Sequence, residues 1–193
     1  MVYGVVPAKV FAWPHSHASL AVLAIPFVTS MFLHGGWLHL IGNMWYLWIF
    51  GHGVEDRLGH FRYFLFYMIC GLGAGIAQVA MSTDTRIPSI GASGAIAGVL
   101  GAYIISYPLA RILTLVPIFF FIQIIEIPAF IVLGFWFLVQ FLSGASSLQG
   151  ATAASTGGDV AWWAHVGGFL LGMVLMTVMA QRPRQAYGHP SRY

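Results

Sequence analysis

Long apolar runs separated by short polar clusters set the pattern of this chain. Runs of about 20 apolar residues are long enough to cross a bilayer, and the pattern predicts five such helices. They cover about Phe32 to Gly51, Phe61 to Met81, Ile90 to Tyr107, a fourth that ends near Ser143, and Trp162 to Ala180. The fourth is irregular. Its apolar stretch from Ile112 to Leu142 is interrupted by Pro117, Glu126 and Pro128, too long for one straight crossing and too short for two. That predicts an interfacial hairpin followed by a span from about Pro128. The stretch Val10 to Ser30, with Pro14 and Pro26, is expected to lie at the outer interface rather than to span. Two connections carry the composition of mobile loops: Ser82 to Ser89, and the Gly-, Ser-, Ala- and Thr-rich Ser143 to Asp159.

The expected fold class is therefore all-α, a polytopic membrane helix bundle forming a single domain over residues 1–193. Residues 1–31 would be an outer segment, 32–180 the five spans and 181–193 a cytoplasmic tail. No internal repeat is visible.

Composition sharpens this. Hydrophobic residues make up 59% of the chain and charged residues 7%, against about 25% charged in an ordinary soluble domain. The mean hydropathy is +0.84. The net charge of +3 rests on scattered residues and gives no nucleic-acid footprint. The lone Cys70 lies inside a span, where a packing role is expected. No signal peptide is evident in Met1 to Lys9. With five crossings, Arg57, Arg62, Arg111, Arg182, Arg184 and Arg192 collect on one side, and Lys9 and Arg86 on the other. The positive-inside bias then puts the C-terminus in the cytoplasm, and a prokaryotic plasma membrane is the expected location.

Polar residues inside such runs are expensive and usually functional. Spans one, three and five run in the same direction. His34, His39 and Asn43 fall in the first turns of span one, Ser93 near the start of span three, and His165 near the start of span five. All five should share one depth. Small residues recur every fourth position at Ala164, Gly168 and Gly172, and at Ser93, Ala97 and Gly101. Stripes of this kind let membrane helices approach closely. If the two stripes face one another, His165 comes within reach of Ser93 and can take its proton as the hydroxyl attacks a carbonyl. His39 and Asn43, four apart on one helix face, and the backbone N–H of Ser93 are candidate donors to the developing oxyanion, with His34 a further one. No Asp or Glu sits at matching depth to orient His165, so a Ser–His dyad is expected.

The strings His34-x4-His39-x3-Asn43, Gly91-Ala-Ser93-Gly94 and Ala164-His165-x2-Gly168-x3-Gly172 resemble the three signatures of the rhomboid family of intramembrane serine proteases. Val54-Glu55-Asp56-Arg57-Leu58-Gly59 resembles the pattern that follows the first of them. The resemblance implies Ser93 as nucleophile, His165 as base, and His39, Asn43 and His34 at the oxyanion. Gly91 and Gly94 would shape the turn around the serine, and Gly168 and Gly172 the helix packing. It also implies transmembrane protein substrates taken from the lipid bilayer, with no cofactor and no metal. Access would involve span four, with Phe135, Trp136 and Phe137. Two departures stand out. The family core has six helices, so this chain is expected to be N-terminally truncated, starting after the first. Many members also carry an aromatic residue four after the serine, packed on the histidine ring, where this chain has Ala97.

Taken singly, each residue has a plainer explanation. A membrane-helix serine commonly bonds its own i−4 carbonyl, a histidine after Trp162-Trp163 can be an interfacial anchor, and Gly-x-x-x-Gly stripes are usually packing devices. Glu126 is expected at the interface, Asp159 as a cap of the last helix, and His15, His17 and His189 as solvated loop residues. No His-Glu-x-x-His string points to zinc, and Gly91-Ala-Ser93-Gly94-Ala95 does not form the Gly-x-Ser-x-Gly elbow of soluble hydrolases. The alternatives to a protease are a non-catalytic rhomboid-like protein that binds transmembrane helices, and a transporter. The retained Ser93 and His165 weigh against the first, and the lack of carboxylates in the core spans against the second.

Overall fold

The computed structural model describes residues 3–15, 19–118, 121–148 and 160–180. In chain order these form α1 (Pro7–Ala12), a 3-10 turn (Trp13–His15), α2 (Leu20–Thr29), a second 3-10 turn (Ser30–Phe32), α3 (Trp37–Leu58) and α4 (His60–Met81). They continue with α5 (Ser93–Ser106), β1 (Arg111–Ile118), β2 (Phe121–Pro128), α6 (Ala129–Leu148) and α7 (Trp162–Met179). His17, His189, Asp159, Arg182, Arg184, Arg192, the 181–193 tail and residues 149–159 lie outside the described residues.

Among the described residues, α4, α6 and α7 are each long and apolar enough to cross a membrane. A fourth candidate joins residues 20–32 to α3, bent by 78° between its two parts. If α3 stands along the membrane normal, that bend lays residues 20–32 nearly in the membrane plane, in keeping with the interfacial placement expected for Val10 to Ser30. The third expected span is the exception. α5 has 14 residues, about 21 Å at 1.5 Å rise, against about 30 Å of hydrocarbon. Five full-length crossings are therefore not what the helix lengths give.

The short α5 is nevertheless the centre of the bundle. Ala95, Ile96, Ala97, Val99, Leu100 and Ala102 are buried, and the helix packs chiefly on α7 and also on α4 and α3. Its composition explains the position, because a helix of Gly and Ala lets neighbours close in on all sides. At two positions of α7 nothing larger fits. A Cβ on Gly168 would run into the carbonyl of Gly94, and one on Gly172 into the carbonyl of Gly98. The α7 stripe is thus the one read from the sequence. Its partner row on α5 is Gly94, Gly98 and Gly101 rather than Ser93, Ala97 and Gly101, since Gly94 and Gly98 present their carbonyls to Gly168 and Gly172 and Gly101 meets the Phe169 carbonyl, while Gly98 also packs on Cys70 of α4. Shifting the contact row by one residue leaves Ser93 and Ala97 free to face a cavity. Cys70 is buried in this packing.

The all-α expectation is corrected by one element. Residues 111–128 form an antiparallel hairpin, in register from Arg111↔Pro128 to Ile118↔Phe121. The segment is rich in Ile, Val and Phe, types that favour extended backbone, and on β1 exposed Arg111, Leu113 and Leu115 alternate with half-buried Ile112, Thr114 and Val116. At its base the N–H groups of Ala129 and Phe130 donate to the carbonyls of Ala110 and Pro108, at 2.8 and 3.0 Å. Arg111 also meets Glu126 there, at 3.2 Å; an exposed pair of this kind adds little stability. The hairpin leads into α6 at Ala129, where the interrupted run placed the restart. α6 then continues to Leu148, so the first residues of the expected loop after Ser143 are helical.

The connection from α4 to α5 is tied down rather than loose. Val5 and Ser89 exchange backbone hydrogen bonds at 3.1 and 2.7 Å, and the Ala8 N–H donates to Thr85 at 3.1 Å. The N-terminal segment therefore braces the turn that precedes Ser93. Ser30 completes the brace by accepting from the Gly91 N–H at 2.8 Å.

Candidate active site

Four residues of the sequence constellation line one cavity of about 870 Å³: His39 and Asn43 from α3, Ser93 from α5 and His165 from α7. Each lies near the N-terminal end of its helix, as the shared-depth argument required. Ser93 Oγ and His165 Nε2 are 2.8 Å apart. The pairing follows from the α5–α7 contact. Glycine against backbone carbonyl brings the axes close enough for a short serine side chain to reach an imidazole on the neighbouring helix.

Ser93 is the first residue of α5. Its backbone N–H belongs to the first turn, whose donors have no partner inside the helix, and the helix dipole favours negative charge there. The turn before it depends on Gly91. Its φ of 123° is a conformation that side-chain-bearing residues rarely adopt, and a Cβ would lie 2.7 Å from Cε1 and Nε2 of His39. The same missing Cβ brings the backbone before Ser93 against the His39 ring and near the Asn43 amide.

Asn43 is buried, and its Nδ2 has no hydrogen-bond partner. A buried donor left unpaired is costly unless something else satisfies it, and this one belongs to a cavity-lining residue. His39 Nδ1 accepts a long 3.4 Å contact from the Gly35 N–H; in a neutral ring that leaves the proton on Nε2, the edge beside Gly91. His34 stands apart from the other four. Its ring packs edge-on against His39 with centroids 5.1 Å apart, and it is not among the residues lining the cavity.

Sequence reasoning left open what holds His165 in place of the aromatic residue that Ala97 replaces. Two groups on α6 do so. Trp136 lies against the imidazole with centroids 5.8 Å apart and planes inclined by 38°, and Gln140 Oε1 is 2.7 Å from His165 Nδ1. Trp162 adds an edge contact at 6.5 Å. Trp136 and Gln140 are four apart on one helix face. A buried glutamine in an otherwise apolar span was the available signal, and a search restricted to Asp and Glu missed it. Gln78, likewise buried on α4, accepts from the Ala164 N–H at 3.1 Å and steadies the start of α7 just before His165.

Chemically, the site offers a hydroxyl beside an imidazole, unpaired donors nearby, and a cavity for a substrate backbone. A rhomboid domain family model matches residues 23–182. The chain is 30% identical over 164 residues to rhomboid-like protein 11, chloroplastic, of Arabidopsis thaliana, covering 81% of this chain and 53% of that protein. It is 31% identical over 160 residues to RHOMBOID-like protein 6, mitochondrial, of the same plant, covering 83% and 45%. It is 29% identical over 182 residues to the human presenilin-associated rhomboid-like protein, mitochondrial, covering 90% and 40%. The chain thus spans about half the length, or less, of these curated relatives. Family match, apolar helices and motif order agree: this chain belongs to the rhomboid family and is an integral membrane protein.

Proposed function

We propose that this protein is an intramembrane serine endopeptidase that cleaves transmembrane-segment substrates by a Ser93–His165 dyad. The observation that carries the reading is the 2.8 Å contact between Ser93 Oγ and His165 Nε2 at the wall of a cavity within an apolar bundle.

A substrate segment unwinds beside α6 and enters the cavity. α6 rests mainly on α7, and the cavity is lined from α3 on one side and by Trp136 on the other; both support entry between α3 and α6. Neutral His165 accepts the Ser93 proton at Nε2 while Oγ attacks the scissile carbonyl. The tetrahedral oxyanion takes hydrogen bonds from the Ser93 N–H, Asn43 Nδ2 and His39 Nε2. The imidazolium then protonates the leaving amine as the C–N bond breaks. In the second half, His165 removes a proton from water, the hydroxide attacks the acyl carbonyl, and Ser93 Oγ leaves with the proton returned by the imidazolium. No step requires a metal or cofactor. His34 acts in this scheme by backing His39.

The same proposal takes the short α5 as one pass of the chain, which gives five passes and a cytoplasmic C-terminus. Arg57 lies in the last turn of α3, Arg62 in the first turn of α4 and Arg111 shortly after the end of α5, while Lys9 and Arg86 sit in the mutually bonded segments at the other end. This bias supports the orientation.

The test is cleavage of a transmembrane substrate co-reconstituted in liposomes. Ser93→Ala and His165→Ala should each abolish cleavage with unchanged thermal unfolding. Cleavage retained by either variant would refute the dyad, and inertness of the parent toward a broad substrate panel would favour a non-catalytic helix-binding rhomboid-like protein.

A further inference from the structure

A histidine that serves as base must present a lone pair to the hydroxyl. Neutral imidazole has two tautomers, and only the one with its proton on Nδ1 leaves Nε2 free to accept from Ser93. Among the described residues no carboxylate bonds to His165. Its Nδ1 instead meets the side-chain oxygen of Gln140 at 2.7 Å. An amide oxygen only accepts, so the partner nitrogen must carry the proton. We propose that Gln140 is a positioning residue, a neutral third member of the site, which holds His165 in the tautomer competent to accept the Ser93 proton. The consequence for rate rests on the protease proposal; the tautomer assignment does not.

Three contacts then fix the ring. Ser93 sits at Nε2, Gln140 at Nδ1 and Trp136 against the ring. Gln140 is buried and lies outside the cavity lining, so it acts through His165 rather than on substrate. A polar bond between membrane helices can also be simple glue. What distinguishes this one is its place on the ring nitrogen opposite the nucleophile. An amide suits the setting better than a carboxylate, because a charge buried in an apolar bundle is costly to desolvate. It fixes orientation without balancing the imidazolium that forms during turnover.

Gln140→Leu keeps a similar volume and removes the acceptor. The buried Nδ1–H then has no partner, and the ring favours the opposite tautomer, which aims a donor at Ser93. The rate of Ser93 labelling by a fluorophosphonate probe should fall about 10- to 100-fold, with the half-saturating probe concentration unchanged. Gln140→Glu restores an acceptor and should recover labelling to within about fivefold of the parent. The independent readout is ¹⁵N NMR of histidine-labelled protein, with the His165 signals identified by their loss in His165→Ala. The parent should show a protonated Nδ1 and a bare Nε2 at neutral pH, and Gln140→Leu should lose that pattern. A parent ring protonated on Nε2, or an unchanged tautomer in Gln140→Leu, would overturn the proposal. A Gln140→Leu variant that labels at the parental rate would overturn its catalytic consequence. Because the NMR measurement needs no activity, an unlabelled parent with the Nδ1–H tautomer would refute the protease assignment and leave the positioning role standing.

Discussion

Trp136 on α6 packs at a tilt against the His165 imidazole, with ring centroids 5.8 Å apart and planes at 38°. This chain has Ala97 where many rhomboids place an aromatic ring on the same histidine, so support that others draw from the serine's own helix comes here from a different one. Trp136 also packs on Phe169, one turn further along α7, at 6.1 Å.

Removing that support should loosen the base without removing it. An aromatic pair of this kind contributes about 0.5–1.5 kcal/mol beyond area burial, equivalent to about 2- to 12-fold in rate. Trp136→Ala is expected to lower turnover of a reconstituted transmembrane substrate by at least that factor, and Trp136→Phe to retain most of it. Equal turnover in the parent and both variants would show that the stacking does not hold the base.

Asn43 carries a buried donor that the resting protein leaves unpaired. One oxyanion donor is worth about 10²- to 10³-fold in kcat; with several donors sharing the charge, Asn43→Ala should cost about 10²-fold in kcat and leave KM nearly unchanged. Kinetics in proteoliposomes separate the two parameters. A rise in KM at constant kcat would make Asn43 a substrate-binding residue instead.

The α5–α7 contact should be intolerant at the glycines that meet carbonyls. Gly168→Ala or Gly172→Ala places a methyl group on the opposing backbone; overpacking typically costs about 1–3 kcal/mol and should separate Ser93 from His165. Gly134→Ala on α6 meets nothing within 4 Å and should be neutral or slightly stabilising, since alanine is the better helix former. Thermal unfolding in detergent, paired with fluorophosphonate labelling, checks both. Wild-type behaviour of Gly168→Ala would contradict the packing described here.

At Gly91 the penalty should fall on activity first. Gly91→Ala combines a disfavoured φ with a methyl group 2.7 Å from the His39 ring, so it should displace His39 and the turn before Ser93. Labelling is expected to drop about 5- to 150-fold for a strain of about 1–3 kcal/mol. A fully labelled Gly91→Ala protein would count against the turn's role.

Much of this site was legible because polar residues stand out in apolar helices, and because helix parity fixes their depth. His39, Asn43, Ser93 and His165 were found that way, and the Ala164, Gly168, Gly172 stripe gave the approach of α7. The partner row on α5 was misread by one residue, since Gly94, Gly98 and Gly101 satisfy a small-residue spacing as well as Ser93, Ala97 and Gly101 do. Hydropathy alone could not separate the two. Hydropathy also scored α5 as a span, whereas burial by its neighbours, rather than length, lets so short a helix persist. The 111–128 hairpin was located by its prolines and Glu126, yet its β-structure was not, because apolar periodicity does not distinguish short strands from buried helix. Gln140 stands out in its apolar helix by the same rule, but it escapes when only Asp and Glu are considered as partners for His165.

The most direct test of the central claim is mass-spectrometric mapping of a fluorophosphonate adduct on the purified protein, beside Ser93→Ala and His165→Ala. The account expects a single adduct on Ser93, absent in both variants while their unfolding temperatures stay at the parental value. An adduct on another residue, or one on Ser93 that persists without His165, would contradict it.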